Sequence, residues 1–297
     1  MRIFITGGTG FLGRPLCMAL REHELLVLSR NPANADLPAR MLQGDLFEPA
    51  LWTKQLQAFQ PETCLHLAWS NLPDYSLANC AKNFHAGLEL FQCLVEMRCP
   101  RLVITGTCFE YSKLTGCVTE DRIGMAPSVF PAFKTAQRIV GESLFSQSST
   151  TFLWARPFFV YGPGQRKTSL IPSVIQSFMR GVPPEIQTPR ALQDFIHVDD
   201  VASGLAKLAT SEAPAGIYNL GSGRATRVAD IVNLIARLLH RPEVYPHDPT
   251  LFPSGKENGE GGFWASTERM QKQTGWRPLV SLEEGIRKTL TTLRDQS

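Results

Sequence analysis

The chain has 297 residues, 43% of them hydrophobic and 19% charged, with a formal net charge of +3 at pH 7. That composition supports a substantial core in one domain or two closely joined ones. It argues against a nucleic-acid partner, because the basic residues are scattered, and against a membrane span, because no apolar run approaches the roughly 18 residues one needs.

The first seven residues, MRIFITG, reach glycine before a secretory apolar region can form, so a cytoplasmic location is expected. Residues 2 to 6, RIFIT, read as a strand, and TGGTGFLG follows at once with Gly7, Gly10 and Gly13 in the pattern TGxxGxxG. A helix pattern over 13 to 22 comes next. A glycine loop between strand and helix lets the backbone turn tightly and approach a pyrophosphate, so Gly7, Gly10, Phe11, Leu12 and Gly13 are expected at a dinucleotide.

LLVLS (25 to 29) is the second strand. An acidic residue at its end would bind a ribose 2′-hydroxyl, but Ser29 and Arg30 stand there and suit a 2′-phosphate, so NADP(H) is expected rather than NAD(H). After a third strand, QGDL places Asp45, with Leu46 beside it, where the carboxylate accepts from an adenine amino group. TCLHLA (63 to 68), RLVITG (101 to 106) and TFLWAR (151 to 156) read as further strands, separated by helix patterns over 83 to 97 and 133 to 145. This alternation predicts an α/β fold: a doubly wound parallel Rossmann sheet over residues 1 to 165.

After about 165, prolines at 163, 172, 183, 184 and 189 break the alternation. Helices are predicted over 198 to 210, 227 to 240 and 281 to 294, the last opening with Ser281 and Glu284 at capping-box spacing, and 246 to 262 reads as a mobile loop. Residues 166 to 297 are therefore expected to form a smaller mixed α/β substrate lobe, some of it packing back on the first domain. Seven cysteines without a CxxC pair read as reduced thiols rather than a disulfide framework, and no metal site is expected.

Taken together the chain resembles the extended short-chain dehydrogenase/reductases, specifically the nucleotide-sugar epimerase, dehydratase and 4-ketoreductase superfamily. The resemblance rests on TGGTGFLG, GDL at 44 to 46, HLAW at 66 to 69, Asn83, TGTCFEYS at 105 to 112, Lys134, RPFFVYGPGQ at 156 to 165, DFIHVDDVA at 194 to 202, YNLGSG at 218 to 223 and GWRP at 275 to 278. It implies that Leu67, Ala68, Trp69 and Pro157 line the cofactor and that Thr107 hydrogen-bonds a substrate carbonyl. It implies substrate contacts from Tyr111, Phe159, Gln165, Arg166, Lys167, Gln193 and His197, with a packing role for Tyr111 and a structural role for His197 equally open, and a homodimer formed by the helices around 83 to 97 and 133 to 145.

The family's chemistry pairs a tyrosine with a lysine one helical turn later: the phenol passes a proton while the lysine lowers its pKa and holds the nicotinamide ribose. Lys134 is present, but the tyrosine position is Phe130, which Pro131 sets near a helix entrance. Three accounts fit. Phe130 is a Tyr-to-Phe replacement introduced into an active enzyme; or it is native, with the proton coming from water, Thr107, the ligand or another residue; or the protein binds NADP(H) without catalysis. Thr107 is followed by Cys108 and Phe109 rather than a dehydratase's Asp-Glu pair, and Arg30 suits an exchangeable NADPH rather than an epimerase's retained NAD. The expected activity is thus NADPH-dependent C4 reduction of a nucleotide-linked 4-keto-6-deoxyhexose, with epimerase, dehydratase or a silent cofactor-sensing protein as alternatives.

Overall fold

A computed structural model describes residues 1–34, 36–112, 114–245 and 262–295. Its strands are β1 (Arg2–Thr6), β2 (Glu24–Ser29), β3 (Arg40–Gln43), β4 (Thr63–His66), β5 (Arg101–Thr105), β6 (Gly116–Val118), β7 (Thr151–Pro157), β8 (Phe159–Tyr161), β9 (Leu192–Gln193), β10 (Phe195–His197), β11 (Gly216–Leu220), β12 (Thr226–Arg227) and β13 (Phe263–Ala265). Its helices are α1 (Gly13–Ala19), α2 (Thr53–Phe59), α3 (Leu77–Glu96), α4 (Val129–Phe145), α5 (Leu170–Met179), α6 (Val198–Thr210), α7 (Val228–Leu238), α8 (Glu268–Thr274) and α9 (Leu282–Asp295).

Seven strands form one sheet in the order β11-β7-β5-β4-β1-β2-β3, every pairing parallel. The continuous apolar runs in β1, β2 and β5 follow from this, since strands covered on both faces have no polar side to present. One face packs Leu16, Val27, Val103 and Leu205, and the other packs Leu26, Leu90, Phe91 and Phe152. This is the expected doubly wound α/β fold. The order reverses between β1 and β4, and a crevice opens there at the carboxyl ends of the strands.

Two helix starts differ from the sequence reading. The helix expected from 83 begins at Leu77, because Ser76 caps it by accepting from the Asn79 N–H at 3.3 Å. The helix expected from 133 begins at Val129, with extended Ser128 before it. Pro131 falls in the first turn, where its missing N–H costs nothing, and Phe130, the second helical residue, stands at the helix entrance as expected.

Chain order does not divide the molecule cleanly at 165. β11 completes the edge of the large sheet beside β7, and α6 packs against α1. Conversely β6, from the first half, joins the small sheet β12-β9-β13-β6. The rest of the C-terminal lobe is built by α5, α7 and α9 around Val174, Ile175, Ile231, Ile235, Ile286 and Leu290. The Ser281 side chain accepts from the Glu284 N–H at 3.2 Å, as the capping spacing predicts. The expected loop over 246 to 262 lies, except for residue 262, outside the described residues. Among the described residues no helix is long and apolar enough to cross a membrane.

Candidate active site

A cleft of about 790 Å³ opens above the switch point. Its floor is the glycine loop. Gly7 adopts a φ of +75°, and a Cβ there would meet the Ala68 nitrogen at 2.8 Å; a Cβ on Gly13 would strike the Gly7 carbonyl. Only glycine permits this approach of loop, helix and the β4 end, which leaves bare backbone facing the cleft. Gly10, Phe11 and Leu12 line it, whereas Gly13 is buried beneath.

At one end of the cleft stand Ser29, Arg30, Asn31 and Arg14. Ser29 Oγ accepts from the Asn31 N–H at 3.3 Å, and both guanidinium groups are exposed. Arg14 was not singled out in the sequence, although its place directly after the last loop glycine brings it to the same end. Asp45 and Leu46 line the cleft next to Ser29, whose carbonyl accepts from the Gly44 N–H at 3.0 Å; the Asp45 carboxylate is oriented by the Phe47 N–H at 3.1 Å. Leu67, Ala68 and Trp69 line the far end, with Gln165 and Arg166 above them. Trp69 Nε1 and Gln165 Oε1 are buried without a hydrogen-bond partner, so the walls offer a donor and an acceptor for a ligand to satisfy. Arginines at one end, bare backbone along the floor and an aromatic ring at the other end fit an elongated dinucleotide.

Beyond Trp69 lie the residues that the sequence singles out for catalysis. Lys134 is buried, donates to the Thr105 carbonyl at 2.8 Å and stands 4.2 Å over the Trp69 ring. Burial lowers its pKa to about 7, partly opposed by Glu110. His66 behind it is held neutral: burial, and then the charge of Lys134, push its pKa down to about 3, while Nδ1 pairs with Thr6 Oγ1 at 2.7 Å. Phe130 contacts Trp69 edge-on at 5.2 Å and Tyr75 at 5.1 Å between ring centroids. Thr107 caps a short 3₁₀ turn, its oxygen accepting from the Phe109 N–H at 3.3 Å, which leaves the hydroxyl hydrogen for another acceptor. Pro157 ends β7, half-buried.

Several residues expected to contact substrate lie outside the cleft lining. Tyr111 is fully buried: its hydroxyl donates to Asn219 Oδ1 at 2.8 Å, Arg156 lies 4.3 Å over its ring, and burial pushes the phenol pKa up to about 12. It presents nothing to a ligand. His197 is likewise buried, its Nδ1 accepting from the Asp199 N–H at 3.2 Å to cap α6, with its ring against Tyr161. Burial favours for both the packing role that the sequence also left open. Phe159 sits half-buried among Phe109, Phe195 and Phe263, Gln193 belongs to the small sheet, and Lys167 is exposed outside the cleft lining.

Glu110 is the polar hub under the site. Oε1 accepts from the Thr107 N–H at 3.0 Å and Trp154 Nε1 at 2.9 Å, and Oε2 takes Arg156 at 2.8 and 3.0 Å. It fixes the turn carrying Thr107. The C-terminal motifs are tied in the same way: Asp194 accepts from the N–H groups of Ser222, Gly223 and Ala265, and Asp200 from those of Leu279 and Val280.

Comparison with known proteins bears on the fold and the family. A profile of the NAD dependent epimerase/dehydratase family matches residues 3–221. The dTDP-L-rhamnose 4-epimerase of Burkholderia thailandensis is 25% identical over 96% of this chain and 93% of its own length. The dTDP-4-dehydro-6-deoxyglucose reductase of Escherichia coli is 23% identical over 98% and 97%. Among solved structures, MoeE5 in complex with UDP-glucuronic acid and NAD superposes with a TM-score of 0.84 at 24% identity, all of both chains being covered.

Proposed function

Because the chain belongs to the NAD dependent epimerase/dehydratase family of nucleotide-sugar epimerases, dehydratases and reductases, we propose that it is an NADPH-dependent C4 ketoreductase acting on a nucleotide-linked 4-keto-6-deoxyhexose. The observation that carries this reading is the ribose end of the cleft, where Ser29 and Arg30, joined by Arg14, stand without a carboxylate at the end of β2. A guanidinium pair matches a 2′-phosphate, and a cofactor so selected is suited to net reduction and exchange. Dehydration needs a free acid and base near the sugar; Glu110, the carboxylate nearest Thr107 in sequence, has both oxygens engaged and is buried.

When bound, reduced nicotinamide supplies a hydride. The protein's own residues then have separable tasks: Thr107 donates to the substrate carbonyl, Lys134 holds the nicotinamide ribose, Trp69 packs beside it, and Gln165 and Arg166 take the nucleotide diphosphate. Two copies pair through α3 and α4, whose Ile139, Val140 and Leu144 are exposed on one helix.

Arg30→Ala is expected to weaken NADPH binding by about 10-fold to 100-fold, the worth of a charge-assisted phosphate contact, and to leave NADH affinity within about 2-fold. Titration of both cofactors by fluorescence checks it; equal losses for both would refute the 2′-phosphate assignment. Phe130→Tyr is expected to raise NADPH-linked turnover of nucleotide 4-keto sugars by at least about 10-fold, since a phenol one helical turn before Lys134 is a better-placed acid than any the native chain offers. No gain on a proven substrate would sink the proton-donor assignment of position 130.

A further inference from the structure

Phe130 leaves the site without a phenol where the Lys134 helix would present one, and the fold brings another phenol against the same ring. The chain has five tyrosines. Tyr111 is spent on Asn219, Tyr161 is buried with its hydroxyl on the Ser281 and Leu282 carbonyls, Tyr218 donates to the Pro214 carbonyl, and Tyr245 packs in the core of the C-terminal lobe. Tyr75 alone meets Phe130, at 5.1 Å between ring centroids and a tilt of 47°. It is 45% exposed, and its hydroxyl has no hydrogen-bond partner among the described residues.

The backbone around Tyr75 is fixed rather than loose. Asn79 Nδ2 donates to the Asp74 carbonyl at 2.7 Å and to the Ser70 carbonyl at 3.1 Å. The Ser76 N–H donates to Asp74 Oδ1 at 2.9 Å, and the Ser70 N–H donates to Asn83 Oδ1 at 2.6 Å. Both asparagines are buried on α3. Residues on each side of Tyr75 are therefore pinned, leaving only its side-chain torsions to adjust. The same segment carries Ser70 and Leu72 into the wall of the cleft, beside Trp69. Holding two residues of a loop by buried amides costs side-chain freedom, and here it fixes a free phenol beside the catalytic lysine's helix.

We propose that Tyr75 supplies the proton in this reduction, a donor from the β4–α3 loop standing in for the phenol absent at 130. The inference rests on the reductase reading above. The C4 carbonyl gains a hydride from the bound nicotinamide, which is thereby oxidised; the carbonyl π bond breaks, and O4 takes the proton from Tyr75 Oη. The resulting phenolate is reprotonated by water, which its exposure allows.

The test uses the full chain, Tyr75→Phe, Phe130→Tyr and the double variant, assayed with NADPH and nucleotide-linked 4-keto-6-deoxyhexoses. Tyr75→Phe keeps the ring and removes one oxygen, and is expected to lower kcat by about 10-fold or more while NADPH affinity stays within about 2-fold. In the Phe130→Tyr background the same change is expected to have little effect, because a phenol one turn before Lys134 takes over. A second readout is independent of turnover: with tyrosine labelled by ¹³C at Cζ, the resonance lost in Tyr75→Phe is expected to shift when NADP⁺ and a nucleotide sugar are added. Unchanged kcat in Tyr75→Phe, an unmoved resonance, or an inactive native chain beside an active Phe130→Tyr would each overturn the proposal and leave the reductase reading standing. Inactivity of both chains on every such sugar would remove that reading, and this proposal with it.

Discussion

Lys134→Met is expected to lower kcat/KM for NADPH-dependent reduction by about 10-fold to 100-fold, the worth of a charge-assisted hydrogen bond to the nicotinamide ribose. Lys134 stands on α4 over the Trp69 ring, anchored to the Thr105 carbonyl at 2.8 Å. Methionine fills the same volume without the charge or the donors. The same change is expected to act on stability in the opposite sense, and the pH dependence gives its sign. An unfolded lysine titrates near 10.4, whereas burial brings the folded pKa to about 7. Between those values the unfolded chain binds more protons, so stability rises with pH through the window. Below about 7 the cost of burying the cation is fully present. Lys134→Met removes that cost but leaves the Thr105 carbonyl without its donor, so a net gain on the order of 1 to 3 kcal/mol is expected at pH 6. The gain should shrink toward pH 10. Denaturant titration at the two pH values measures it; a gain that does not depend on pH would contradict the buried-cation account.

Glu110→Leu carries the largest expected loss of stability. The substitution leaves Arg156 charged and buried, strips acceptors from Trp154 and the Thr107 N–H, and loosens Arg138 at 3.7 Å. Breaking a buried ion pair from one side costs about 3 to 5 kcal/mol. For a chain of this length that corresponds to a fall in melting temperature of roughly 5 to 8 °C. Glu110→Gln, which keeps the shape and part of the hydrogen bonding, should fall less. Differential scanning calorimetry of both variants checks the ranking, and equal losses would show that packing rather than charge holds the turn.

The parts of this molecule legible in sequence are those where backbone geometry or charge constrains the residue type. Gly7 and Gly13 were readable because nothing with a Cβ fits there, and β1, β2 and β5 because strands buried on both faces are apolar throughout. Ser29 and Arg30 were readable as a position on a strand end, and the structure places both in the cleft with Arg14, which the sequence reading passed over because its role depends on where α1 ends up.

Other motif residues were ambiguous by their chemistry. Tyr111 and His197 carry groups that often meet ligands, but whether a phenol or an imidazole faces a cleft or a core is decided by long-range packing, against Asn219 and Arg156 in one case and Asp199 and Tyr161 in the other. Much of the C-terminal signature proves to be staples: Asp194, Asp200 and Asn219 close loops by accepting backbone N–H groups or pairing with Tyr111. The start of α3 was hidden for a different reason, since two of the three residues it buries in its first turns, Asn79 and Asn83, are polar while Leu77 is exposed, so the apolar period that marks a helix is missing. Tyr75 was invisible for the same cause as Arg14: its contact with Phe130 joins two segments far apart in the chain.

The most direct test of the central claim follows one hydrogen. NADPH deuterated at nicotinamide C4, on each face in turn, is incubated with nucleotide-linked 4-keto-6-deoxyhexoses and either the native chain or Phe130→Tyr, and the sugar is analysed by mass spectrometry and NMR. A ketoreductase places one deuterium at sugar C4 for each NADP⁺ formed, from one labelled face only. Inversion at C4 with no net formation of NADP⁺, or no transfer to any such sugar, would contradict it.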